Sequence, residues 1–404
     1  MRISERLGGV VPGGDDGWGV YYRARALKAA GERVVELTIG EHDIATDGAI
    51  LDAMDRAGRG GATGYPAVPG LPPLRRAVAE WVATRTGMAT ALANVLIVPG
   101  GQAGLYAAHL CALEPGDTGL IADPYYATYP GTIRAAGGAV RMVPTRADDG
   151  FAPRGAAILD AASTAQAEGR RAGSLLINTP NNPTGAVYSR SALAEIASAV
   201  TEADLWLISD EVYDGQVWEG VHVSPRALPG MAERTLVVGS MSKSFAMTGS
   251  RLGWIVGPEP AIAALANLAT HTTYGVAGFV QHAAYWALTE GGAALEARVA
   301  APFERRRALV AEALGGTAAL HVRPMQGGMY AFVDISATGL SGTAFAERLL
   351  AAERIAVMPG ESFGAAGVGH IRIALTAPDA EMTDALQRIV AFAEARVGER
   401  TAAE

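Results

Sequence analysis

Lysine is almost missing from this sequence: Lys28 and Lys243 stand against 31 arginines. Arginine does nearly all the cationic work, so a surviving lysine raises the question of what arginine cannot do. It cannot form a Schiff base, because its guanidinium stays protonated and delocalised. Cysteine is as scarce. The single one, Cys111 in AAHLCALEPG, lies on an apolar helical stripe and reads as a small core residue, not a nucleophile. One thiol excludes an intrachain disulfide and fits a cytoplasmic protein. No apolar run is long enough to span a bilayer, and the opening MRISERLGG lacks the apolar core of a signal peptide. Excess positive charge is missing too. A formal net charge of -8 argues against general affinity for DNA, RNA or acidic membrane, though it leaves room for a local cationic pocket. The seven histidines are scattered without HExxH or another compact ligand spacing, so no metal is expected.

What is present points to two domains. The 404 residues are half apolar, too many for one ordinary core. VLIVP, TGLIA, AVRMVP, SLLINT, LWLISD, TLVVGS and LGWIVG are short apolar strand candidates, with helical patterns such as SALAEIASAVTEA between many of them. That alternation predicts a mainly parallel α/β sheet buried on both faces. VVELTI (34–39) is an earlier strand ending at Gly40. GRGGATGYPAVPGLPP is a long loop of the kind used for function or subunit contact. The tail changes character. A helical stretch from about 276 to 314, expected to break near Pro302, precedes the strands GGMYAFVDIS, IAVMPG and HIRIALT and the helices SGTAFAERLLAAER and DAEMTDALQRIVAFAEARV. This predicts a smaller α+β domain over 291–404, joined by an N-terminal segment (1–45), around a large domain (46–290).

Four segments at predicted strand ends carry chemistry. GSMSKSFAMTGSRLGW (239–254) sets Lys243 after a strand, with Ser240 and Arg251 as phosphate donors; a solvated polar loop is the plain alternative. NTPNNPTG (178–185) offers Asn182 as a donor to a phenolic oxygen, or is an ordinary Asn/Pro turn. LWLISDEVYDG (205–215) ends a strand at Asp210, a carboxylate for a protonated pyridine nitrogen, with Tyr213 within reach of the same phenolic oxygen; helix capping is the alternative. VPGGQAGLY (98–106) opens a helix at which the N–H groups of Gly101, Gln102 and Ala103 can hold a phosphate. It is neither a Rossmann fingerprint nor a Walker A loop. Together these supply a phosphate cup, an amine, a partner for a ring nitrogen and donors for a ring oxygen, the set that pyridoxal 5′-phosphate requires.

These segments resemble the class I/II aminotransferases of pyridoxal-phosphate fold type I, the aspartate aminotransferase superfamily, from about residue 20 to about 395. NNPTG (181–185), SDEVY (209–213), SMSKSFAMTGSRLGW (240–254) and HIRIAL (370–375) carry the resemblance. It implies a seven-stranded, mainly parallel sheet in the large domain and a homodimer with shared active sites. It implies that Lys243 is the Schiff-base lysine, Asp210 the pyridine partner, and Asn182 and Tyr213 the ligands of the ring oxygen. Tyr126 would stack on the ring. Gly101, Gln102, Ala103, Ser240 and Arg251 would form the phosphate cup, and Tyr65 would reach the neighbouring subunit's phosphate. Arg372 would clamp the substrate α-carboxylate, beside Asn182 and a pocket wall at Gly40. The implied reaction is ping-pong transamination between an L-amino acid and a 2-oxo acid, with pyridoxamine 5′-phosphate as the alternate cofactor form.

A narrower similarity, in HVSPRALPGMAERT, GGMYAFVDISATGLSGTAFAERLL and PGESFGAAGVGHIRIAL, is to the bacterial arginine:pyruvate transaminase group. Some acidic-substrate relatives place a lysine where this chain has Gln102, which weakens a dicarboxylate reading. GEHDIATDG (40–48) departs from the usual pattern. Glu41, His42, Asp43 and Asp47 either attract a cationic side chain or form a solvated loop in which Asp47 caps a helix. An aspartate or broad-specificity aromatic aminotransferase and a C–S β-lyase on the same fold remain alternatives. A non-enzymatic regulator would need a DNA-binding region, and only about 20 residues precede the pattern.

Overall fold

The computed structural model describes residues 2–14 and 17–403. Twelve strands among the described residues form two sheets. The larger contains β2 (Val95–Val98), β3 (Thr118–Asp123), β4 (Ala139–Pro144), β5 (Ala172–Asn178), β6 (Trp206–Asp210), β7 (Thr235–Ser240) and β8 (Gly253–Val256), in the order β2-β8-β7-β6-β5-β3-β4. Only β8 runs antiparallel to its neighbours; the other pairs are parallel. β2, β3, β7 and β8 are buried at every position. That explains their unbroken apolar runs, since helices cover both faces of a parallel sheet. The expected α/β architecture is therefore observed, and the carboxyl ends of the parallel strands form one rim, where such sheets place their ligands.

The smaller sheet has the order β1-β11-β12-β10-β9, with β1 (Val35–Leu37), β9 (His321–Val322), β10 (Tyr330–Asp334), β11 (Ile355–Pro359) and β12 (His370–Ala374). β1 lies parallel to β11, Val35 beside Ile355. Leu37, Phe345, Leu349, Ile371 and Leu386 share its core, which also takes Val20 and Ala24 from the helix Gly19–Ala29.

The long helical stretch breaks elsewhere than expected. A helix Gly278–Trp286 runs into a wide turn Ala287–Gly291, and a new helix, Gly292–Gly315, passes through Pro302 without interruption. The break falls at Gly292, with φ 53° and ψ -158°, a backbone that L side chains avoid. Pro302 removes one donor, but packing holds the helix: Leu295 and Val299 sit in the core of the larger sheet, Phe303, Val310 and Leu314 in that of the smaller. No helix among the described residues is long and apolar enough to cross a membrane.

Candidate active site

Lys243 lies in a single helical turn, Met241–Ser244, directly after β7. Ser240 caps that turn by accepting the Ser242 N–H at 3.1 Å. The lysine amine donates to the Gly40 carbonyl, at the end of the segment that follows β1. Burial pulls the amine below the usual lysine value; Arg372 and Arg251 act in the same direction, against Tyr330 and Glu41.

Asp210 ends β6, 4% exposed. It accepts the Tyr129 hydroxyl at 2.7 Å and the Val212 N–H at 3.2 Å. Burial pushes its pKa up to about 6, and no cation lies in ion-pair contact with it among the described residues. Asn178, ending the neighbouring β5, donates to the Asp210 carbonyl at 2.9 Å and accepts the Asn182 N–H at 2.7 Å. It thereby fixes the NNPTG loop to the strand rim. Asn182 in turn accepts Arg372 Nη1 at 2.8 Å.

Arg372, on β12, is 1% exposed. Its second terminal nitrogen donates to the Thr38 carbonyl, and its guanidinium lies between the rings of Tyr330 (4.2 Å) and Phe363 (4.4 Å). Burial lowers its pKa from the ordinary arginine value, and its buried Nε has no partner. The hydroxyls of Tyr213 and Tyr330 are 3.2 Å apart.

At another side of the site, Gly100 and Gly101 open the helix Gly101–Ala112. Gly100 has φ 82°, and a Cβ there would sit 2.3 Å from Arg251 Nη2. The glycine is what lets the guanidinium lie against the helix start. Arg251 donates to the Thr248 carbonyl at 2.7 Å. First-turn N–H groups beside an arginine form a natural anion site.

Gly40, Gly101, Gln102, Tyr126, Asn182, Asp210, Tyr213, Ser240, Lys243, Arg251 and Arg372 all line one cavity of about 250 Å³. Ala103 lines an adjoining cavity of about 1210 Å³, which shares Trp18, Ile39, Gln102 and Tyr126 with the first. Tyr65 stands outside both, 89% exposed, its ring edge-on to Tyr274 at 5.0 Å. The acidic cluster disperses. Asp43 forms a two-pronged ion pair with Arg306 at 2.8 and 2.7 Å. Asp47 caps the helix Gly48–Arg59 and pairs with Arg298. His42 is packed edge-on to Phe303, and burial drives its pKa down to about 4. Only Glu41, which accepts the Thr248 hydroxyl at 3.2 Å, lines the cavity.

Sequence reasoning missed Tyr129, Tyr330 and Trp18 as cavity residues. Tyr129 had a signal: it follows Tyr126 closely in DPYYATYPG, the segment that enters a helix, and the two rings pack edge-on at 5.7 Å. Tyr330 had none, because in GGMYAF it reads as an apolar strand residue.

The donors and acceptors fit pyridoxal phosphate. A buried carboxylate without a cation suits a protonated ring nitrogen, and the open helix start with Arg251 suits a phosphate. Lys243 supplies an amine with a lowered pKa. Residues 32–389 match the family model described as aminotransferase class I and II. The chain belongs to this aminotransferase family. The aminotransferase is 39% identical over 399 residues to arginine–pyruvate transaminase AruH of Pseudomonas aeruginosa, covering 99% of this chain and 100% of that protein. It is 36% identical over 369 residues to an aspartate/prephenate aminotransferase of Thermus thermophilus, covering 91% and 92%. Its fold matches the solved Thermus thermophilus aspartate aminotransferase with maleate at a TM-score of 0.89 and 33% identity, over 97% of this chain and 100% of that one. This aminotransferase is thus a fold type I enzyme with pyridoxal 5′-phosphate as cofactor and amino acids and 2-oxo acids as substrates.

Proposed function

We propose that this aminotransferase takes L-arginine as amino donor and pyruvate as acceptor. One observation carries the side-chain part of this reading. The cations lining the catalytic cavity are Lys243, Arg251 and Arg372, and each has a task in the common chemistry. Among the described residues of that cavity, a distal substrate carboxylate would meet Gln102 and Glu41 instead of a further cation, at a cost of about 1–3 kcal/mol. A cationic side chain meets Glu41 without that penalty. Similarity to the arginine–pyruvate enzyme over the whole chain supports the same choice.

Bound pyridoxal phosphate supplies a reactive aldehyde and an electron-withdrawing ring. In our reading Gly101, Gln102, Ala103, Ser240 and Arg251 hold its phosphate, Tyr126 stacks on its ring, and Asn182 and Tyr213 donate to the ring oxygen. Asp210 keeps the ring nitrogen protonated. Arg372, with Asn182 and the wall at Gly40, fixes the substrate α-carboxylate, which aims Cα–H at the amine side. Lys243 removes that proton and returns it to the cofactor side. Its lowered pKa leaves more of it as free base at neutral pH, as a general base requires. We also propose a cytoplasmic homodimer in which the exposed Tyr65 reaches its partner's phosphate, and domains divided at 1–45, 46–290 and 291–404.

The test is a single half-reaction. Purified, cofactor-loaded enzyme is mixed with single amino acids and no 2-oxo acid, and 2-oxo acid formed per active site is measured. Arginine as the fastest donor, at one equivalent, supports the reading. Aspartate or glutamate as the fastest donor sinks it, and ammonia release in excess of one equivalent would indicate a β-lyase.

A further inference from the structure

We propose that Tyr330 is a positioning residue that sets both the strength of Tyr213 as a hydrogen-bond donor and the plane of the Arg372 guanidinium. The proposal rests on the roles given above to Tyr213 and Arg372.

Tyr330 opens β10, is 3% exposed, and pairs with Ala374, two residues from Arg372 on β12. Two separate contacts leave from its ring. The face lies 4.2 Å from the Arg372 guanidinium, and Phe363 closes the other side at 4.4 Å. The guanidinium already spends one terminal nitrogen on Asn182 and the other on the Thr38 carbonyl. Those bonds fix it within its plane, and the two rings prevent it from tilting out of that plane. A carboxylate bound by two parallel N–H groups depends on this plane.

The second contact is the hydroxyl, 3.2 Å from that of Tyr213. A phenol has one proton to donate and two lone pairs to accept with. If Tyr213 donates into the cavity, the proton between the two tyrosines has to come from Tyr330. A donor that itself accepts a hydrogen bond is polarised and donates more strongly. The Tyr330 hydroxyl is held in place, because it fills the space that Gly40 leaves empty: a Cβ on Gly40 would lie 1.8 Å from it. Tyr126, Tyr129 and Asp210 also face Tyr213. Glu41, His42, Arg251 and Arg372 face Lys243 together with Tyr330. Each single Tyr→Phe exchange at these two positions therefore removes one hydroxyl and no formal charge.

A hydrogen bond donated to the ring oxygen favours that oxygen's anionic state, and so favours loss of the neighbouring proton of the lysine-bound chromophore. Weakening the donor raises the pKa of that loss. The experiment is a spectrophotometric pH titration of cofactor-loaded wild type, Tyr213→Phe, Tyr330→Phe and the double variant, with melting temperatures as a check on folding. Tyr213→Phe is expected to raise the pKa by about one unit or more, and Tyr330→Phe by about 0.3–1 unit. The double variant should match Tyr213→Phe alone. Tyr330→Phe keeps the ring, so its KM for the amino donor should stay within about twofold of wild type; Tyr330→Leu, which removes the ring, should raise KM about tenfold or more. If Tyr213→Phe shifts the titration and Tyr330→Phe does not, or if Tyr330→Leu leaves KM unchanged, the proposal is overturned. If Tyr213→Phe itself shifts nothing, the underlying reading of the site fails and the proposal fails with it.

Discussion

Replacing Gly40 by alanine should damage the site through a residue nearly 300 positions away. The new Cβ would lie 1.8 Å from the Tyr330 hydroxyl, 2.7 Å from its Cζ and 3.0 Å from Met329 Sδ. Ordinary contact distances are about 3.5 Å, so the hydroxyl has to retreat by roughly 1.5–2 Å. That movement breaks the 3.2 Å contact with Tyr213 and slides the ring from its place over Arg372. Overpacking of this kind costs about 1–3 kcal/mol. For 404 residues the unfolding entropy is about 0.85 kcal/mol/K at the usual value per residue, so the melting temperature should fall by only about 1–4 °C. Catalysis should suffer more, because a misplacement of about 1 Å lowers rates by about 100-fold. The assay is kcat/KM with the fastest donor beside a thermal melt. A Gly40→Ala enzyme with wild-type kcat/KM would refute the steric argument. A collapse in melting temperature of 10 °C or more would show that the glycine serves the fold and not the site.

Three further outcomes are expected. His109 is fully buried with neither ring nitrogen partnered, and burial drives its pKa down to about 3. Below pH 6.5 the unfolded chain takes up a proton that the folded one refuses, so stability falls as pH drops; urea titrations should show wild type losing about 1.4 kcal/mol per pH unit more than His109→Leu between pH 6 and 4. Arg306, whose side chain is 4% exposed, binds Asp43, Asp379 and the Leu375 carbonyl; Arg306→Met should cost about 3 kcal/mol in denaturant unfolding, and an unchanged midpoint would show that the pair is compensated by solvent. Arg372→Lys keeps the charge but loses the planar two-point grip, so KM for the donor should rise about 100-fold; a change of less than threefold would remove Arg372 from the proposed α-carboxylate clamp.

Most of the fold could be read from the chain. The apolar runs of the large sheet occur where expected because a strand buried on both faces, as β2, β3, β7 and β8 are, needs apolar side chains at every position; the edge strand β4, only partly buried, admits Arg141. The helix break was misplaced because proline's local penalty was weighed without the two cores that grip the helix on either side of Pro302. The site divided along a similar line. Lys243, Asp210, Asn182 and Arg251 are polar residues at strand ends, where polarity stands out against apolar runs. Tyr330 lies inside a strand, and its importance comes from contacts with Arg372, Gly40 and Tyr213 that only tertiary structure creates. The acidic segment was legible in part: the helix cap at Asp47 could be read from the chain and is observed, whereas the pairing of Asp43 and Asp47 with arginines more than 250 residues away could not.

The parallel pairing of β1 with β11 sets Val35 against Ile355. The strand that delivers Gly40 to Lys243 is therefore made early in synthesis and finds its neighbour only 320 residues later. At about 5–20 residues per second of translation, that wait is roughly 16–64 s. During it the rim of the large sheet can assemble, while the wall at Gly40 and the whole of Arg372 are still missing. On the roles proposed above, a nascent or truncated chain could thus fold the half that would hold the phosphate without being able to hold an amino acid. The enzyme's competence arrives last, with the carboxyl-terminal strands.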